Sequence, residues 1–166
     1  MFNLPKLSTV VIAGALALVS FAPAPAQSSG DGAVFSVQRT SSGQVSAGAW
    51  AFGRGDYEEA ERFGRVSLQR PERFSRSRRS IAYANWCAAL SMTEEHELAL
   101  DACEQAIVLR PTNWRAHFNH GSALLRSGDR ALAQVAYAQA RTLAPTEGEI
   151  VRAVAILDSR SLASAD

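Results

Sequence analysis

The chain has 166 residues, 47% hydrophobic and 20% charged, with Gly 11 and Pro 6, which excludes a chain disordered throughout, a collagen-like fibre and a polytopic membrane protein. Seventeen basic residues against sixteen acidic ones leave a formal charge of +1. So small a field does not draw a protein onto nucleic acid or anionic lipid, and no nucleic-acid partner is expected. Two cysteines allow one bridge at most and are too few for a four-thiolate zinc site.

From the start, Met1–Lys6 carries the amino terminus and one lysine, Val10–Val19 is an unbroken apolar run, and Pro23-Ala24-Pro25-Ala26 precedes Gln27 with small residues in an A-x-A arrangement. This layout predicts a secretory signal peptide over residues 1–26, cleaved after Ala26, and hence a periplasmic or secreted protein. A membrane span takes about 20 apolar residues. Here the prolines arrive too early, so no stable membrane anchor is expected after cleavage. Loss of residues 1–26 removes the only lysine and leaves 16 arginines facing 16 carboxylates, a formally neutral chain. Residues 27–44 are rich in Ser and Gly and predict a flexible leader, because they hold too little apolar surface to offset the entropy of ordering. Their one apolar island, Ala33–Val37, has a second reading as a strand laid against a partner.

Beyond the leader the sequence repeats. Shifted by 34 positions, residues 80–113 fall on 114–147 with twelve identities, among them Ala82/Ala116, Asn85/Asn119, Ala99/Ala133, Ala106/Ala140 and Pro111/Pro145. A fixed period of this length marks a repeat array, in which each unit buries its apolar face by stacking on its neighbours. Within a unit, Tyr83, Trp86, Cys87 and Leu90, then Leu98, Ala99, Ala102, Cys103, Ala106 and Leu109, follow steps of three and four, the spacing of two amphipathic helices. The breaks fall at 91–94 and 126–129, where Gly128 can end one helix and Asp129 start the next. Pro111 and Pro145 close the second helices. Thr146 and Glu149 form a capping box for a last helix over 149–159. Small residues twelve apart, Gly121 with Ala133 and Cys87 with Ala99, predict close approach within each hairpin; Tyr137 is expected to fill the space between units.

These residues resemble the tetratricopeptide-repeat family. Trp114–Glu147 carries its Gly, Leu, Gly-Asp, Ala, Tyr, Ala and Pro as Gly121, Leu124, Gly128-Asp129, Ala133, Tyr137, Ala140 and Pro145, with His117 and His120 where the family usually has Trp and Leu. Ser80–Asn113 matches with Cys87 for the glycine and Cys103 for the aromatic. A degenerate third copy has Gly48 and Gly55-Asp56-Tyr57-Glu58-Glu59-Ala60, with some five extra residues before the next unit. The resemblance implies an all-α fold, a short α-solenoid of about three repeats at 41–74, 80–113 and 114–147 plus the capping helix, within a domain over 45–160. Gly64 is out of place in mid-helix, where it costs about 1 kcal/mol relative to Ala.

The family resemblance further implies a non-enzymatic interaction scaffold without a cofactor, whose first helices line a concave groove for a peptide or partner protein. Its groove residues are then Asn85, Ala88, Arg115, Phe118, Asn119 and Ser122: the asparagines to hydrogen-bond an extended backbone, Arg115 to meet a carboxylate, Phe118 to anchor an apolar group. The competing reading is a small metal-binding protein or enzyme using His117 and His120, three apart on one helical face. Polar-tipped packing is the plainer account of that pair, and no metal site is expected. Cys87 and Cys103 read either as a disulfide or as two buried small thiols, because they stand one helical turn away from the expected facing pair. Seven arginines between Arg62 and Arg79 read as a solvated helix end and loop, partly neutralised by Glu58, Glu59, Glu61 and Glu72.

Overall fold

Short turns with defined chemistry cut the chain into helical hairpins. The computed structural model describes residues 33–163, so the signal-peptide segment lies outside the described residues. Among the described residues, α1 (Gly43–Gly53) and α2 (Tyr57–Leu68) form the first hairpin, α3 (Arg76–Met92) and α4 (His96–Leu109) the second, α5 (Trp114–Arg126) and α6 (Arg130–Leu143) the third, and α7 (Gly148–Ala163) follows. None of these helices is long and apolar enough to cross a membrane. Gly55 (φ 81°) and Gly128 (φ 94°) take the left-handed conformation that ends α1 and α5. The next residue caps the following helix: Asp56 accepts from the Glu59 amide at 3.3 Å and Asp129 from the Leu132 amide at 3.0 Å. The middle hairpin makes the same turn with Glu94 at φ 67°, a conformation that costs a side-chain-bearing residue roughly 1–2 kcal/mol.

Two boundaries differ from the sequence reading. The second unit begins at Arg76 rather than residue 80, because Ser75 accepts from the Arg78 amide at 3.3 Å and four of the extra residues become a first helical turn. The last helix begins at Gly148, so Glu147 rather than Thr146 stands at its cap, its carbonyl accepting from Ile150 and Val151 at 3.1 and 3.2 Å.

Within each hairpin the two helices lie in contact, and successive hairpins pack through α2 against α3 and α4 against α5. The cores are built largely of alanine, with Ala89, Ala99, Ala106, Ala116, Ala133 and Ala140 all fully buried. The residues facing each other at the tightest point are sixteen apart, not twelve. In the second hairpin they are Cys87 and Cys103, joined by a disulfide with Cα atoms 5.3 Å apart, inside the range such a bridge prefers. In the third they are Gly121 and Tyr137. A Cβ on Gly121 would stand 2.9–3.1 Å from the Tyr137 ring, so the missing side chain admits a ring rather than a bare backbone. Tyr137 accordingly sits inside its own hairpin as well as against α5's Phe118, with ring centroids 5.4 Å apart.

In the first hairpin the same register pairs Gly48 with Gly64. A Cβ at Gly48 would lie 3.3 Å from Phe63 Cβ and 3.5 Å from the Ala60 carbonyl oxygen. Gly64 has a different occupant. A Cβ there would come 2.7 and 2.9 Å from Cγ and Cβ of Trp86, so the mid-helix glycine is the seat of an indole from the next unit. That indole also donates to Glu61 Oε1 at 3.3 Å.

Gly64→Ala is therefore expected to destabilise the chain by about 1–3 kcal/mol through overpacking against Trp86, although Ala is the better helix former. A lower urea midpoint checks it. Replacing Cys87 and Cys103 by Ala is expected to cost about 3 kcal/mol, the value for a closed loop of this size. The same loss should appear when the unaltered chain is unfolded with reductant present.

Candidate peptide-binding groove

Residues two apart on a helix point about 200° apart, so the residue two before each tight-contact position points away from the partner helix. These residues are Ser46 on α1, Asn85 on α3 and Asn119 on α5. Each holds one residue of a single extended strand, and that strand is residues 33–40 of the chain itself. Asn119 Oδ1 accepts from the Ser36 amide at 2.8 Å while its Nδ2 donates to the Ser36 carbonyl at 2.9 Å. Asn85 repeats the clamp on Gln38, at 2.9 and 2.7 Å. Ser46 Oγ accepts from the Thr40 amide at 3.1 Å and donates to its carbonyl at 2.6 Å. Beyond Asn119, the Ser122 hydroxyl donates to the Val34 carbonyl. Residues 34, 36, 38 and 40 thus face the first helices, with period two, as an extended chain requires. The strand crosses the units in reverse order, from α5 to α3 to α1.

Of the flexible leader expected over 27–44, residues 27–32 lie outside the described residues; from Ala33 onward the segment is held. Its low hydrophobicity is offset by main-chain hydrogen bonds to buried side chains, an interaction that leaves no compositional signal. Ala33 and Ser36 are 1% and 4% exposed. Val34 packs on the cluster that contains Phe118, Tyr137 and Ile150. Phe35 meets the Phe52 ring edge-on at 6.4 Å, and the Arg39 guanidinium lies 5.3 Å from the Trp50 ring.

Asn119 is fully buried and does more than hold the strand, since Nδ2 also donates to the Ala84 carbonyl of α3 at 2.9 Å. That bond ties α5 to α3 and holds the amide plane from the side of the solenoid. Among the described residues the Asn85 amide group bonds only to the strand. The Ser122 hydroxyl is 2.9 Å from Tyr137 Oη, linking the groove to the tight point of the third hairpin.

The remaining sequence-derived groove residues are placed differently. Arg115 donates through Nε to Ser36 Oγ at 3.2 Å and stacks 4.1 Å from the Trp114 ring centroid, so it meets a hydroxyl rather than a carboxylate. Phe118 is fully buried between Trp114 and Tyr137, a core residue whose surface reaches the strand only through the cluster on which Val34 packs. Ala88 is fully buried with residues 33–40 in place. Ser46 is the residue missed: aligning Gly48 with Cys87 and Gly121 places it under Asn85 and Asn119, but a serine beside two asparagines carries no identity signal.

His117 and His120 do not converge with other ligands. His117 Nε2 is 2.8 Å from the Pro111 carbonyl. Among the described residues no three His, Cys, Asp or Glu side chains gather where they could hold a metal ion. The arginines between 62 and 79 disperse into separate contacts, Arg62 onto Glu59 at 2.5 Å, Arg76 onto the Val108 carbonyl at 3.0 Å and Arg78 onto Ser41 at 2.9 Å.

Solved structures of the same shape are known. The first TPR domain of the human RPAP3 protein matches with a TM-score of 0.60 at 20% identity, over 70% of this chain and 87% of that one. The Arabidopsis OM64 TPR domain matches with 0.59 at 18%, over 69% and 90%. The chain has the tetratricopeptide-repeat fold. The second TPR domain of human RPAP3, solved in complex with the HSP70 peptide SGPTIEEVD, matches this repeat solenoid with 0.58 at 21%, over 69% and 92%. No family model matches the sequence, and neither does any curated protein.

Burial holds the His120 imidazole below its ordinary pKa of 6.5, against a smaller upward pull from Glu104 and with a further downward push from His117. As pH falls below 6.5 the unfolded chain takes up a proton that the folded ring resists, so stability is expected to fall with pH there. The urea midpoint of His120→Gln should fall less between pH 7.5 and 5.5 than that of the parent.

Proposed function

We propose that the chain is a non-enzymatic protein-interaction module of the cell envelope that binds extended peptide segments in its concave groove, one dipeptide per repeat. The observation that carries this is the ladder of Ser46, Asn85 and Asn119, each satisfying both the amide and the carbonyl of one residue in an extended strand. Main-chain groups are common to every sequence, so such a ladder supplies affinity for any extended partner, while side-chain contacts at the intervening positions supply selectivity. The likeness to a TPR domain solved with a bound peptide supports the same reading. Placement in the envelope is supported by the signal-peptide pattern of residues 1–26 and by the Cys87–Cys103 bridge, since disulfides persist in oxidising compartments.

The test uses peptides selected from a random display library against the chain. In a chain whose own segment is lifted by Ser36→Pro, Asn85→Ala combined with Ser46→Ala removes two clamps with no other side-chain partner among the described residues and is expected to weaken the selected peptides at least about tenfold, the equivalent of 1.4 kcal/mol from hydrogen bonds worth about 1 kcal/mol each. Helical circular dichroism should be unchanged. Equal affinity of the Ser36→Pro chain with and without these two substitutions overturns the reading.

A further inference from the structure

We infer that residues 33–40 are a built-in ligand of the groove, and that a partner must displace them with an extended segment that likewise places a small side chain over Asn119 and an apolar one two residues before it. This rests on the peptide-binding reading above and names both the partner's class and the competitor it meets.

The strand makes the contacts of a ligand rather than those of a core element. Its main chain is held by side chains of three successive units, at equivalent places, and among the described residues it pairs with no other strand. It joins α1 through Ser41 and Ser42 alone, so the tether is short and the local concentration of the strand at the groove is high, in the millimolar range typical of short linkers. A groove filled about 90% of the time by its own strand binds a competing peptide about tenfold more weakly than an open one.

The side-chain pattern follows from the walls. Ser36 is 4% exposed, its amide and carbonyl held by Asn119 and its hydroxyl accepting from Arg115. A larger side chain there would meet the Arg115 guanidinium, which stands 3.2 Å from the hydroxyl and stacks 4.1 Å from the Trp114 ring centroid. Val34 packs against the cluster containing Phe118, so the position two residues earlier takes an apolar side chain.

The experiment uses the full chain and two labelled octapeptides, one with the sequence of residues 33–40 and one carrying Ser36→Trp. In the chain, Ser36→Pro deletes the amide that donates to Asn119 and lifts the strand. The Ser36→Pro chain is expected to bind the first peptide at least about tenfold more tightly than the parent does and to prefer it about tenfold over the tryptophan peptide. Adding Asn85→Ala to the Ser36→Pro chain should weaken that binding at least about tenfold. Independently, the Ser36 and Gln38 amides of the unaltered chain should exchange at least about tenfold more slowly than in the free peptide. Free exchange of those amides, or equal uptake by parent and Ser36→Pro, overturns the built-in ligand and leaves the groove reading standing. Equal uptake of both peptides overturns the small-side-chain requirement. Failure of every form to bind either peptide overturns the inference and the groove reading together.

Discussion

The structure depends on how closely two helices approach at one level of each hairpin. Sixteen residues separate the facing positions in all three units, and each unit meets the constraint with different chemistry. Gly48 and Gly64 let backbone approach side chain, Cys87 and Cys103 bond covalently, and Gly121 makes room for the Tyr137 ring. A bulky residue on both sides would force the helices apart, because packed interiors have no spare volume to absorb it. The first unit shows how far this constraint reaches. Its second glycine leaves a recess that Trp86 of the next unit fills, so contact within one hairpin is completed by its neighbour.

The groove follows from the same register. Once positions 48, 87 and 121 turn toward their partner helices, helical geometry turns 46, 85 and 119 to the opposite side. Stacking then brings three polar side chains from sequence-distant helices into a row. Asn119 connects the two levels of organisation. Its amide group bonds to the α3 backbone as well as to the strand, so the clamp is oriented by the packing of the solenoid and not by its ligand. Preorganisation of this kind lowers the entropy cost of binding an extended segment.

Much of this was readable in the residues. The 34-residue period, the Gly-Asp turns and Pro111 mark the hairpins, because helix ends are governed by local backbone chemistry. Asn85 and Asn119 stand out as identical polar residues in otherwise apolar helices. Other features were misread for physical reasons. Periodicity put Leu98 on the buried face, yet it is 40% exposed, since alanine-rich helices leave the azimuth of the apolar stripe poorly defined. Phe118 reads equally well as anchor or core on a helical wheel. The disulfide register was displaced by one turn because spacing counts residues but not the angle at which two helices cross.

Local sequence by itself determined where the turns between paired helices fall, that units repeat every 34 residues, and which small residues must meet another surface. These are decided by dihedral preference and side-chain volume, which act over a few residues. Only the tertiary structure decided that facing positions lie sixteen apart, that Gly64 receives an indole, and that Ala33–Thr40 lies along its own solenoid. Each of those outcomes joins groups tens of residues apart in the chain. Main-chain hydrogen bonds to a strand depend on its extended shape, and so leave almost no trace in its amino-acid composition.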